Sequence, residues 1–253
     1  MKKIFSVFLT VMVITATVLA GCANNTVNSS SENTAENATE NANIDQIQAV
    51  EEIQKGPKGD PQRGNQIAVN AINAIPQGEL SKEEADGLLW MREEEKLARD
   101  VYLTLYEKWQ IPIFKNIAGS EQTHTDMVAV LIKKYNLTDP VVNDKVGSFT
   151  NPKMQELYNK LVEDGSSSSE AALKVGAMIE EIDIVDLQKQ LNVTDNEDIK
   201  YVYENLLKGS RNHLRSFVSV IKRNYGITYE PQYLDEEDYE NIINSSMETG
   251  YQG

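Results

Sequence analysis

Two histidines occur in the 253 residues, and each stands on a helical stripe that should otherwise be apolar. The first stripe runs Phe114, Ile117, Ala118, Glu121, His124, Val128 and Leu131; the second runs Ile199, Val202, Tyr203, Leu206, His213, Phe217 and Ile221. Residues three apart share a helix face, with about 5–6 Å between Cβ atoms, so Glu121 and His124 can bind one metal ion or two neighbouring ions. Two further stripes offer carboxylates. Glu95 lies in line with Leu88, Met91, Ala98 and Tyr102; Glu94 flanks Leu97 and Val101 and stays an alternative, while Glu93 is expected in solvent. Leu173, Ala177, Ile184 and Leu187 define a line through Glu180, with Asp183 three residues on and Glu181 expected to be exposed or salt-bridged. An unpaired buried carboxylate costs several kcal/mol or more, so carboxylates on inward stripes call for cations. Glu95, Glu121 and Glu180 with neutral imidazoles would leave two divalent ions one positive charge in excess, which Asp183 would cancel. Carboxylate and imidazole donors without thiolate suit iron, manganese or zinc. The competing reading is two ordinary core histidines and carboxylates on a solvated helix face.

The elements that must position these residues are all helical, because no segment alternates with period two. Ser81-Lys82-Glu83-Glu84 is a capping box that opens a first helix over about 82–108. Gln110-Ile111-Pro112 is a short connection to a second helix over about 113–135, with Asp139-Pro140 beyond it. A long crossover carries its own short helix from Pro152 to Glu163, closed by Gly165. A third helix follows over about 170–191, and Thr194 with Glu197 forms a second capping box that opens a fourth over about 196–225, stopped by Gly226. Short, long and short connections give a four-helix bundle with one crossover, the arrangement of ferritin-like folds. Residues 65–80 are an arm leading into a domain of 81–230, and Ile67–Ile75 can be arm, strand or short helix. An acidic, tyrosine-bearing tail, 231–253, has a helical turn or two near Glu236–Ile243.

The N-terminal region has a different composition. Lys2 and Lys3 precede an apolar run from Ile4 to Val18, which reads as a secretory signal of residues 1–21 and is too short for a spanning helix. Its ending, Leu19-Ala20-Gly21-Cys22, resembles a bacterial lipobox, in which lipidated Cys22 becomes the first residue. Residues 23–45, almost all Asn, Ser, Thr, Ala and Glu, cannot bury enough apolar area to offset ordering, and the turn-rich 54–64 is expected to be irregular, so 22–64 reads as a disordered tether. The expected location is extracytoplasmic, with the chain lipid-anchored to the membrane. Without residues 1–21 the chain has 22 basic against 39 acidic side chains, a net charge of −17, and no electrostatic footprint for nucleic acid. One cysteine excludes disulfides, cysteine zinc sites and iron–sulfur clusters.

Glu95-Lys-Leu-Ala98-Arg99-Asp-Val-Tyr102 is similar to the Glu-x-x-Ala-Arg-x-x-Tyr run of rubrerythrins, members of the ferritin-like superfamily. More closely, MREEEKLARDVY, SEQTH, YNLTDP, GAMIEEIDIVDL and GSRNHLRSF resemble the DUF2202 family, over about 80–230. The resemblance implies a ferritin-like bundle, with the activity of the family not established. Its di-iron pattern implies Glu95, Glu121, His124, Glu180 and His213 as ligands. A second Glu-x-x-His should place a glutamate at 210, where Ser210 stands after Gly209. Either Asp183 takes its place, or the second metal is weak, or one metal binds. The cysteine-ligated iron domain of rubrerythrin has no counterpart. The expected cofactor is iron or manganese, with neither haem nor an iron–sulfur cluster. Three functions compete: a centre acting on peroxide or oxygen with an external electron donor, a metal-binding surface protein without turnover, and a metal-free interaction module. A homodimer is compatible with each.

Overall fold

The computed structural model describes residues 61–250, and the expected signal, Cys22 and most of the expected tether lie outside the described residues. Seven helices and no strand occur among the described residues: α1 (Pro61–Ala74), α2 (Lys82–Trp109), α3 (Pro112–Lys134), α4 (Pro152–Gly165), α5 (Ser169–Val193), α6 (Glu197–Tyr225) and α7 (Glu236–Ile243). The domain is all-α.

Local chemistry explains most helix ends. Ser81 and Glu84 form the reciprocal capping box at the start of α2, and Gln110 ends that helix with a left-handed φ of 53°. Proline at the first turn starts α3 and α4, where a missing N–H costs nothing. Gly226, at φ 69°, ends α6. The start of α6 differs from expectation. Asn196 is its N-cap and makes no side-chain cap bond, while Thr194 donates its hydroxyl to Glu84 Oε1 at 2.5 Å. The second capping box is therefore absent, because Thr194 is drawn across the molecule to the first turn of α2.

The four long helices close a ring: α2 packs on α3, α3 on α6, α6 on α5, and α5 on α2. α4 lies against α2 and α5, and α1 packs on α3 and α6. Paired positions show that α2 and α5 run antiparallel. Glu84 meets Thr194, Gly87 meets Gln190, and Tyr102 meets Gly176. Tyr102, Phe114 and Phe217 fill the ring's interior, with centroids 5.3 to 6.1 Å apart.

Two boundaries move. α1 begins at Pro61, inside the stretch expected to be irregular, because Ala68, Ala71 and Ile72 bury one helical face. Lys134 holds that helix by donating to the carbonyls of Ile72 and Ile75. The C-terminal segment is not a separate tail, since Tyr229, Leu234, Tyr239 and Ile242 are buried and α7 packs on α6.

Candidate metal centre

α2 contributes Glu95, α3 Glu121 and His124, α5 Glu180 and α6 His213, and all five side chains are buried. They form two groups that share Glu121: Glu95, Glu121 and His124 in one, Glu121, Glu180 and His213 in the other, with donor atoms within 4.8 Å of one another in each. One Glu121 oxygen serves each group. His124 Nδ1 lies 2.7 Å from Glu121 Oε2 and 3.3 Å from Glu95 Oε2. His213 Nδ1 lies 2.8 Å from Glu121 Oε1 and 3.5 Å from Glu180 Oε2. The imidazoles stack at 5.6 Å with 26° between planes.

Burial makes these contacts costly. Glu95 Oε1, Glu121 Oε1 and His213 Nδ1 are all buried without a hydrogen-bond partner. The last two stand 2.8 Å apart, an ion-pair contact without hydrogen-bond alignment. Carboxylate oxygens and imidazole nitrogens gathered this closely could hold a metal ion in each group. Each group offers two oxygens and one nitrogen to an ion, a carboxylate–imidazole donor set that leaves coordination positions open.

Without a metal the charges rearrange through protons. Burial pushes the Glu95 carboxyl up to about 7, against the opposing pull of His124. Burial also raises Glu180, and His213 only partly offsets it. Glu121 goes the other way: burial alone would raise it, but His213 and His124 together hold it well below the usual carboxylate range. Burial disfavours charge on His213, yet Glu121 and Glu180 lift it to about 10, and His124 is raised likewise by Glu121 and Glu95. A divalent ion would replace those imidazole protons.

Surrounding residues fix the arrangement. Tyr102 donates to Glu180 Oε1 at 2.5 Å, and its hydroxyl stays protonated because burial and then Glu180 push it well above the phenolic range. Gly209 lets α6 approach His124. A Cβ at that position would stand 2.5 Å from His124 Cε1 and 2.6 Å from Nε2, so the ring is held with Nδ1 toward the carboxylates. The single Ser210 hydroxyl lies within hydrogen-bond reach of Asp183 Oδ2 and of the Leu206 carbonyl. Asp183 is buried but belongs to neither group, because Ser210 holds one of its oxygens and the other is unpartnered.

Two glutamates expected outside are inside. Glu93 is 3% exposed and accepts from the backbone N–H groups of Thr150 and Asn151. Glu181 is fully buried and accepts from Tyr229 Oη and from the N–H groups of Gln232, Tyr233 and Leu234. Helical periodicity assigns one inward face, whereas the crossover and the C-terminal segment fold back over a second face and bury it. Glu94 is also buried, outside both groups. Gly209 beside the expected ligand position was the sequence signal for a close helix approach.

Among known proteins, the DUF2202 family, described as an uncharacterized protein domain, matches residues 84–246. The chain is 63% identical over 179 residues to an uncharacterized protein, MJ0754, of Methanocaldococcus jannaschii, covering 71% of this chain and 96% of that one. The crystal structure of hypothetical protein MJ0754 superposes with a TM-score of 0.68, covering 69% of this chain and 99% of the other.

Proposed function

The chain belongs to the DUF2202 family, and on that premise we propose that it is a ferritin-like four-helix protein holding a dinuclear iron or manganese centre that acts on peroxide or oxygen. The observation that carries the reading is that buried Glu121 stands between the two histidines, one oxygen 2.7 Å from His124 Nδ1 and the other 2.8 Å from His213 Nδ1, and is shared by both donor groups. Each imidazole is flanked by two buried carboxylates, a donor set that a divalent ion can occupy once it has displaced the imidazole proton. The ring of four long helices and the long crossover between α3 and α5 support the ferritin-like assignment.

Two reduced metal ions would supply one electron each, the two that convert peroxide to water. The chain's own residues prepare the place. Tyr102 holds a proton beside Glu180 and orients that carboxylate. The aromatic trio of Tyr102, Phe114 and Phe217 gives one side of the centre an apolar wall. Ser210, where the second Glu-x-x-His of the di-iron pattern would place a glutamate, leaves Glu121 as the carboxylate shared by both groups. Reducing equivalents come from an external donor in this reading. Lys2, Lys3, the apolar run and Leu19-Ala20-Gly21-Cys22 support a lipid anchor at Cys22 that tethers the domain outside the cytoplasm.

Anaerobic titration with Fe(II), followed by addition of peroxide, tests the reading. Two ions per chain are expected, oxidised on addition of peroxide, with no binding in a His124→Ala/His213→Ala variant that keeps its helical spectrum. A wild-type chain that takes up no ion overturns the centre. Uptake of two ions without oxidation by peroxide overturns the activity and leaves a binding protein.

A further inference from the structure

The N-terminal half of α2 and the crossover enclose a cavity of about 350 Å³, within the range of small-molecule sites. Leu89, Trp90 and Pro140 give it an apolar lining, and Asp86, Glu93 and Asn151 add polar groups. Val142, whose N–H bonds to the Pro140 carbonyl at 2.9 Å, is 84% exposed and extends the apolar surface beside that wall.

Trp90 is half-buried, and its indole N–H bonds to the buried carboxylate of Glu94, one turn on. The next residue, Glu95, belongs to the metal centre. One part of the indole therefore lines the cavity while its N–H meets the carboxylate adjoining a ligand. Trp90 and Glu95 are five residues apart, a rise of about 7.5 Å and a short span for electron tunnelling. Trp109 is used differently: its N–H donates to the Gly165 carbonyl at 2.9 Å and ties α4 to α2. The lining also selects. Asp86 and Glu93, in a chain of net charge −15, disfavour a phosphate-bearing nucleotide. An indole among aliphatic side chains suits a neutral planar ring, whose hydroxyl groups the carboxylate and amide oxygens can accept from.

We propose that this cavity binds a hydroquinone, a neutral aromatic two-electron donor, and that Trp90 couples it to the metal centre. The inference rests on the dinuclear reading and deepens it by naming the class of the external donor and where it docks. The hydroquinone gives up two electrons and its two hydroxyl protons and leaves as the quinone. The electrons return the two ions, by one each, to their reduced state, and the protons pass to solvent at the cavity mouth, where the Asp86 side chain is 63% exposed.

Menadione and its hydroquinone, menadiol, serve as probes. Calorimetric titration of the metal-free wild-type chain with menadione is expected to show one saturable site and to quench tryptophan fluorescence. Menadiol is expected to reduce the iron-loaded chain after its oxidation by peroxide, read in stopped-flow absorption. In Trp90→Leu, menadione affinity and the rate of reduction should each fall at least about tenfold, with Fe(II) uptake kept. Should that variant fail to fold, Thr150→Trp, at an exposed position of the lining, fills the cavity and should give the same losses. No saturable menadione binding, binding or reduction indifferent to the folded variant, or equal binding of flavin mononucleotide overturns this inference and leaves the dinuclear reading standing. A wild-type chain that takes up no Fe(II) overturns the dinuclear reading and the donor role with it.

Discussion

Two buried ionic clusters lie one to two turns apart on α2, and they are built on opposite principles. Around Asp100, fully buried, every charge is answered. Lys96 Nζ stands 2.5 Å and Arg99 Nη2 2.8 Å from its oxygens, and Arg99 Nε and the Gly147 N–H each add a bond at 2.9 Å. Lys96 also donates to the Lys145 carbonyl and lies over the Phe149 ring, and Arg99 reaches Asp144. That cluster pins the 144–149 loop to α2. Around Glu121 the contacts are as short, yet donor atoms are left without bonds. The first cluster has its hydrogen-bonding capacity filled and serves the fold, whereas the second keeps donor atoms that could hold an ion.

The two clusters should therefore respond differently to the same treatments. The largest effect belongs to Asp100→Asn, which strands two buried cations. It should cost about 3–5 kcal/mol in chemical denaturation, with metal stoichiometry unchanged in the protein that remains folded. A loss under about 1 kcal/mol would mean that the paired cluster does not hold the loop.

Next in size is the metal-linked gain. Wild type at a Mn(II) concentration about 100 times its Kd should gain about 2.7 kcal/mol per site. Glu121→Gln should lose the gain for both ions, and His124→Ala and His213→Ala for one ion each, read by melting with and without Mn(II). Equal gains in wild type and Glu121→Gln would deny Glu121 its shared position.

A pH series on metal-free protein is the third test. Glu95 rises from 4.5 to about 7 on folding and His213 from 6.5 to about 10. Both folded values are raised, so both groups support folding most at low pH. Their contribution is complete below about 4.5, declines as pH passes 7 and is gone beyond about 10. The melting temperature should fall by something on the order of 5 °C between pH 6 and 9, and saturating Mn(II) should abolish the fall, since bound imidazoles carry no exchangeable charge. A metal-free melting temperature that rises over this range would contradict the charge arrangement.

The smallest change to the fold is Gly209→Ala. Alanine favours the helix by up to about 1 kcal/mol, so metal-free stability should hold or improve, while the added Cβ displaces the His124 ring. Mn(II) affinity, measured calorimetrically, should drop about tenfold. An unchanged Kd would show that the ring does not need the gap.

The sequence by itself marked the four long helices and the inward stripes on which the five residues of the two groups stand. Apolar stripes of period 3.6 fix which way a helix faces, and a histidine or glutamate interrupting such a stripe must share the buried side with its neighbours. The start of α2 was also legible, because Ser81 and Glu84 satisfy each other within four residues. What tertiary structure alone decided were contacts made across large separations. Thr194 left its own helix for Glu84, 110 positions away, and Glu181 was buried by a segment about 50 positions on. Asp183 was readable as inward but not as held by Ser210 away from both groups. Periodicity specifies a direction from one helix axis; which partner arrives there, and whether it brings a proton donor or another carboxylate, depends on how separate helices slide into register, and that is set by close approaches such as Gly87 on Gln190 and Gly209 on His124.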